Sequence, residues 1–237
     1  MKLKFKHQKF QEDAAMAVCD VFAGQPFSSP TYIVDSGLSD DIQRAMFAEQ
    51  DYTGYNNGKI IISNEVILRN LREVQKRNQI QPSSKLEGHY NLTIEMETGV
   101  GKTYTYIKTI YELNKRYGWC KFIVVVPSVA IREGVFKSFE ITKEHFVEEY
   151  NKKIRYFIYN SSDLTRIEHF ASDSAINVMI INSQAFNARG EAARRITMKL
   201  DSFRSRRPLD VIAATNPILI IDRSEEHTSE LQSRFGI

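Results

Sequence analysis

Residues 98–103, Thr-Gly-Val-Gly-Lys-Thr, have the types and spacing of a loop that binds nucleotide phosphates. Gly99 and Gly101 let the backbone turn so that its N–H groups point inward at phosphate. Lys102 would reach the β- and γ-phosphates as a point charge, and the Thr103 hydroxyl would bind the Mg²⁺ that bridges them. ATP and Mg²⁺ are therefore the expected ligands. The expected nucleotide contacts are Thr98, Gly99, Val100, Gly101, Lys102 and Thr103.

The loop departs from the full G-x-x-x-x-G-K-[ST] pattern, because Met96 stands where that pattern has its first glycine. A chance glycine turn before a helix is the alternative interpretation. The context favours a phosphate loop, since an apolar strand is expected over residues 92–96 and a helix over 102–116. Helicase-type ATPases of the second superfamily often replace that glycine and keep a T-G-x-G-K-T core.

The elements around the loop alternate in a way that predicts an α/β fold. After Tyr90, short apolar runs alternate with helix-length segments, as in βαβ units around a parallel sheet. The run at 122–126 has no polar alternation, so both of its faces should be buried. Expected strands are 92–96, 122–126, 154–158, 178–181 and 218–221, and expected helices are 102–116, 130–150 and 163–171. Upstream we expect helices over 10–22 and from Ile67, short β-type runs at 31–34 and 59–62, and a linker at 78–88.

Composition bounds the class of protein. The chain has 237 residues, 42% hydrophobic and 26% charged, which suits one large globular domain, or one domain with an appended segment. A net charge of +3 permits a polyanionic partner without arguing for one. Cys19 and Cys120 form no metal or disulfide framework, which favours a reduced, cytoplasmic setting. No apolar run is long enough to span a membrane, so no membrane association is expected.

Further segments resemble, in order, motifs of one family: the restriction (Res) subunits of type III restriction-modification systems. Residues 10–14, Phe-Gln-Glu-Asp-Ala, resemble an upstream glutamine motif, in which the Gln11 amide would contact the adenine edge. Alternatively, Gln11 is a polar residue on a helix surface. Residues 124–134 resemble the strand-to-loop motif that grips nucleic acid, which implies phosphate contacts from Ser128 and Arg132. A solvated helix charge is the alternative for Arg132.

Two later segments extend the resemblance. Residues 179–186 resemble the next strand-end segment of these motors, although their residue types are common. Residues 217–222, Pro-Ile-Leu-Ile-Ile-Asp, resemble the Walker B strand, in which Asp222 would hold Mg²⁺ through water. An apolar strand that merely ends in Asp is the alternative. The resemblance thus implies Lys102 and Asp222 as catalytic residues, with Thr103 and Asp222 at the metal.

The resemblance implies a RecA-like P-loop domain that, in the whole protein, couples ATP hydrolysis to translocation on double-stranded DNA and, with a modification (methyltransferase) subunit, to cleavage. We interpret 1–89 as an N-terminal segment and 90–222 as the first RecA-like domain, truncated at the Walker B strand. Arg223 stands where the family has Glu. Residues 223–237 look like a translated sequencing adapter, a non-native tail, or alternatively a polar helix. The chain would then bind ATP but hydrolyse it poorly.

Three other interpretations stay open. The first is a stand-alone DNA or RNA helicase of the same superfamily. The second is a phosphate-loop protein that acts without nucleic acid, such as a nucleotide kinase or switch. The third is that this chain by itself is an inert fragment.

Overall fold

The computed structural model describes residues 5–33, 54–88, 90–187, 196–198, 203 and 207–222. Its helices are α1 Lys9–Val21, α2 Asn64–Arg77, α3 Lys102–Tyr117, α4 Val129–Tyr150, α5 Thr165–Ser172, α6 Gln184–Asn187 and α7 Pro208–Ala214. Its strands are β1 Thr31–Ile33, β2 Gly54–Asn56, β3 Lys121–Val126, β4 Ile154–Ile158, β5 Ile176–Asn182 and β6 Ile218–Ile221. No helix in these ranges is long and apolar enough to cross a membrane.

The central sheet has four parallel strands in the order β4-β5-β3-β6. All six residues of β3 are buried, which confirms the prediction from its unbroken apolar run. Alternate side chains of β3 enter two hydrophobic clusters: Val124 lies in the first with Ile107 of α3, and Ile123 in the second with Ile167 of α5. The sheet is therefore flanked by helices on both faces, and the predicted α/β fold class is confirmed.

All of the helices and strands predicted after residue 100 are confirmed. The three predicted helices correspond to α3, α4 and α5, with ends that differ by one or two residues. Four of the five predicted strands correspond to β3, β4, β5 and β6. The short apolar runs between helix-length segments thus identified the βαβ units correctly.

The strand predicted at 92–96 is wrong, because this segment has no regular structure. Its alternating pattern fits a half-buried strand, but Ile94 is 46% exposed and the segment makes no strand pairing in the described residues. Leu92 instead packs against the first hydrophobic cluster. A period-two pattern marks a segment able to pair, while pairing itself requires an available sheet edge in register.

The strand predicted at 59–62 is also wrong, and the reason is a side chain that satisfies this backbone. Gln25 Nε2 donates to the Lys59 carbonyl at 3.0 Å, and the Ile61 N–H donates to Gln25 Oε1 at 2.9 Å. The partner of β1 is β2, Gly54–Asn56, in antiparallel register. Its sequence, Gly-Tyr-Asn, has turn-forming composition and gave no strand signal. The predicted run at 31–34 is otherwise confirmed by β1, with Val34 outside the described residues.

The N-terminal elements share the core of the sheet. Cys19 of α1 and Ile67 of α2 lie in the same hydrophobic cluster as Val124 of β3. Buried Asn57 donates to the carbonyls of Lys121 and Asn216, at the starts of β3 and β6. The segment after α2 is irregular, as expected for a linker. Residues 223–237, which we interpret as a non-native tail, lie outside the described residues.

Candidate functional site

The phosphate-loop sequence is a turn that leads into α3. Gly99 has φ of +83° and Gly101, the N-cap of α3, has φ of +89° and ψ of 41°. Only glycine adopts this left-handed region without strain. Within the described ranges, the backbone amides of residues 99–102 make no backbone–backbone hydrogen bond. The loop therefore presents free N–H groups at the positive end of a 16-residue helix.

Lys102 is the first residue of α3, and its side chain is exposed to solvent. Thr103 follows it on the first turn and is half-buried. The structure thus places the predicted ammonium and hydroxyl groups beside the free amides of the loop. Their contacts with phosphate and metal stay predictions.

Gln11 of α1 lies against the phosphate loop. Its side chain is buried, and Nε2 donates to the Val100 carbonyl at 2.8 Å. The fit is close, because a Cβ added at Gly101 would lie 2.6 Å from Gln11 Nε2. Gln11 is therefore not a polar residue on a free helix surface. Its proposed adenine contact stays a prediction.

Asp222 follows β6 at the carboxyl end of the sheet. Its backbone N–H donates to the Val125 carbonyl at 2.9 Å, which fixes it beside the end of β3. The Tyr106 hydroxyl donates to Asp222 Oδ2 at 3.5 Å and also makes a hydrogen bond with the Thr103 side chain. The two residues predicted to bind metal are thus joined through one tyrosine.

Tyr106 is a site residue that sequence reasoning missed. Burial raises the pKa of its phenol, and the negative charge of Asp222 raises it further, so the hydroxyl stays protonated and donates. The signal available in the sequence was its position three residues after Thr103, on the same helix face. Tyrosine is common in cores, so that spacing alone did not distinguish it from a packing residue.

Ser128 and Arg132 lie at the start of α4, just after the carboxyl end of β3. The Ser128 hydroxyl is the N-cap and accepts from the Ile131 N–H at 3.3 Å. Arg132 pairs with the neighbouring Glu133 carboxylate at 2.9 Å. The Glu133 carboxylate is exposed and the Arg132 side chain is partly exposed, so this pair is weak and easily exchanged for another anion. The structure therefore brings both residues to one helix terminus, and their contact with nucleic acid stays a prediction.

Comparison with known proteins gives one consistent family. The family described as "Type III restriction enzyme, res subunit" matches residues 59–234. The EcoP15I Res subunit of Escherichia coli is 30% identical over 236 residues, covering 91% of this chain and 22% of the relative. The StyLTI Res subunit of Salmonella typhimurium is 31% identical over 167 residues, covering 61% of this chain and 16% of the relative. The chain thus spans less than a quarter of the length of these relatives, and it belongs to the family of type III restriction enzyme Res subunits.

Proposed function

We propose that this chain forms the ATP-binding part of the DNA translocase of a type III restriction enzyme. The observation that carries the proposal is the loop at 98–103, which combines left-handed glycines, free amides and an exposed Lys102 at a helix N-terminus. Residues 90–222 would be the first RecA-like domain and 1–89 its N-terminal segment. Movement along DNA and cleavage are proposed for the whole protein.

The loop suits the phosphates of ATP. A Cβ added at Gly99 would meet nothing within 4 Å, so there is open space beside the backbone at that turn. The free amides and the Lys102 ammonium all favour an anion in that space. Gln11 uses one amide N–H for the Val100 carbonyl. Its second N–H and its oxygen are proposed to contact the adenine edge.

The Thr103 hydroxyl and the Asp222 carboxylate are oxygen donors of the kind that Mg²⁺ prefers. Mg²⁺, when bound, would neutralise charge on the β- and γ-phosphates. Asp222 would hold it through water, and Tyr106 would orient both protein oxygens through its hydroxyl. Lys102 and Asp222 are the proposed catalytic residues, because the Lys102 ammonium would stabilise negative charge on the phosphates and Asp222 would hold Mg²⁺ against them.

Double-stranded DNA and a modification subunit are the proposed partners. Ser128 and Arg132 would contact DNA phosphates, since a helix N-terminus, a hydroxyl and a guanidinium all suit a phosphate oxygen. For Arg132 this contact would replace the local pair with Glu133. The relatives' names place them in restriction-modification enzymes, which supports the choice of DNA over RNA.

The experiment measures the affinity of the chain for a fluorescent ATP analogue with Mg²⁺, in the presence and absence of duplex DNA. Coupling between the two sites predicts that DNA changes nucleotide affinity, and that Arg132→Ala abolishes the change. Arg166→Ala, at an exposed residue of α5, is the control, and DNA should still change its nucleotide affinity. If DNA changes the nucleotide affinity of neither the wild type nor the two variants, the result would favour a phosphate-loop protein that acts without nucleic acid.

A further inference from the structure

Three side chains that commonly bind transition metals meet outside the phosphate loop. They are His7, His145 and Glu149, and one ligand atom of each lies within 4.8 Å of the other two. His145 and Glu149 are four residues apart on α4, so they share one helix face. His7 comes from residues 5–8, the irregular segment before α1, which we call the N-terminal arm. The cluster therefore joins two separate parts of the chain.

One pair of these atoms has a spacing close to that of a tetrahedral site, and all three lie within 4.8 Å of one another. His145 Nε2 and Glu149 Oε2 are 3.6 Å apart. Metal–ligand distances of about 2.1 Å place the ligand atoms of a tetrahedral zinc site roughly 3.4 Å apart. The observed distance of this pair exceeds that spacing by about 0.2 Å. The arm is exposed at His7, which lets the third ligand adjust without disturbing the core.

Neighbouring side chains support the cluster as outer-shell partners support a metal site. The buried Lys108 ammonium donates to Glu149 Oε1, which orients the carboxylate with Oε2 towards His145. The Tyr104 hydroxyl makes a 2.8 Å hydrogen bond with His145 Nε2, and a metal bound to this nitrogen would replace that bond. Phe5 of the arm packs on the His145 ring, with centroids 5.1 Å apart. Hydrogen bonding and packing thus restrain both ligands on α4.

The donor set selects the class of metal. Two imidazole nitrogens and one carboxylate suit Zn²⁺ and its neighbours, whereas Mg²⁺ and Ca²⁺ require mostly oxygen ligands. Cys19 and Cys120, the only thiols in the chain, are buried and do not compete.

We propose that His7, His145 and Glu149 bind Zn²⁺ and thereby fix the N-terminal arm to α4. The consequence reaches the phosphate loop, because α1 begins at Lys9 and carries Gln11, whose amide donates to the Val100 carbonyl. Fixing His7 would restrain the start of α1 and hold Gln11 against the loop. Zinc would thus stabilise the position of Gln11 for nucleotide binding, from a site separate from the proposed Mg²⁺ site.

The test titrates Zn²⁺ into the whole chain by calorimetry, with His7→Ala and Glu149→Gln as the variants. Each variant should bind its first equivalent of Zn²⁺ with an affinity about tenfold or more lower than that of the wild type, since each removes a ligand. The exposed His169→Ala on α5 is the control and should bind zinc as the wild type does. Millimolar Mg²⁺ should not compete. Because His7 is exposed, its variant should keep the melting temperature of the metal-free wild type.

Hydrogen exchange supplies a second measurement that does not depend on nucleotide. Zinc should slow amide exchange across residues 5–11 in the wild type and leave it unchanged in His7→Ala. The proposal is overturned if His7→Ala binds zinc as tightly as the wild type, or if zinc leaves exchange in the arm unchanged.

Discussion

The side-chain amide of Gln11 donates a 2.8 Å hydrogen bond to the backbone carbonyl of Val100, 89 positions further along the chain. This bond connects α1 to the phosphate loop, and it is made by a buried side chain. A loop with few hydrogen bonds of its own depends on such contacts for its conformation. The glutamine is thus placed to influence nucleotide binding through the loop itself.

Replacing Gln11 with Ala should weaken nucleotide binding. The variant loses one buried hydrogen bond, worth about 1 kcal/mol, which corresponds to a several-fold loss of affinity. Gln8→Ala is a matched control, because Gln8 is exposed and its side chain does not cap α1. Titration of a fluorescent ATP analogue measures both variants. Equal affinities for Gln11→Ala and wild type would show that the bond does not influence the site.

Two glycine substitutions should separate backbone strain from steric overlap. Gly99→Ala meets open space and should cost only the strain of positive φ, about 1–2 kcal/mol. Gly101→Ala adds an overlap with Gln11 Nε2 at 2.6 Å and should destabilise the fold further. Urea unfolding gives both values.

The control for this pair is Gly134→Ala in α4, where an added Cβ meets nothing within 4 Å. Alanine is favoured there by about 0.5–1 kcal/mol, so this variant should be more stable than the wild type. A strained, left-handed conformation at residue 99 is contradicted if Gly99→Ala stabilises the chain as Gly134→Ala does.

Replacing Tyr106 with Phe should change the dependence of nucleotide binding on Mg²⁺. The ring stays in place, but Asp222 and Thr103 lose the hydroxyl that joins them. We expect a several-fold higher Mg²⁺ concentration for half-maximal nucleotide binding, with Mg²⁺-free binding unchanged. Tyr32→Phe, at a half-exposed residue of β1, is the control. If Tyr106→Phe requires the same Mg²⁺ concentration as the wild type, Tyr106 has no role in Mg²⁺ binding.

Because Lys121 is buried, the free energy of unfolding should change with pH in the alkaline range. Burial lowers the pKa of its ammonium from 10.5 to about 8, although it donates to the carbonyls of Phe170 and Asp173. Between these values the unfolded chain holds a proton that the folded chain has released, so the lysine contributes a free energy of unfolding that rises with pH. This contribution is complete above about pH 10.5 and is lost as pH falls through about 8.

Urea unfolding of wild type and Lys121→Met at about pH 8 and about pH 10 measures this effect. The wild type should gain stability relative to the variant as pH rises. A difference that stays constant between the two pH values would mean that the lysine keeps its ordinary pKa.

The sequence predicted the parts of the fold that depend on local pattern. The apolar run of β3 and the helical spacing of α3 require no knowledge of distant contacts, and both were identified. The turn at residues 98–103 was predicted from consecutive residues in the same way, and its binding of phosphate stays a prediction. The paired strand β2 was missed, because its pairing with β1 depends on residues far apart in the chain.

The remaining errors also have long-range causes. Gln25 satisfies the backbone at residues 59–61 from 34 positions away, so an apolar run there does not become a strand. Tyr106 gains its role from Asp222, which is 116 positions distant. Spacing within a single segment carries no information about either contact.

The most direct test of the central claim compares ATP affinity of the wild type with that of Lys102→Ala. Lys102 is exposed, so the substitution leaves the fold intact, and Lys115→Ala on the same helix is the matched control. Binding of an ATP analogue with Mg²⁺, measured by fluorescence anisotropy, should weaken by about tenfold or more for Lys102→Ala, because the proposed contact of the ammonium with the phosphates is that of a full charge. It should not change for Lys115→Ala. Identical affinities for wild type and Lys102→Ala would contradict a phosphate-binding role for residues 98–103.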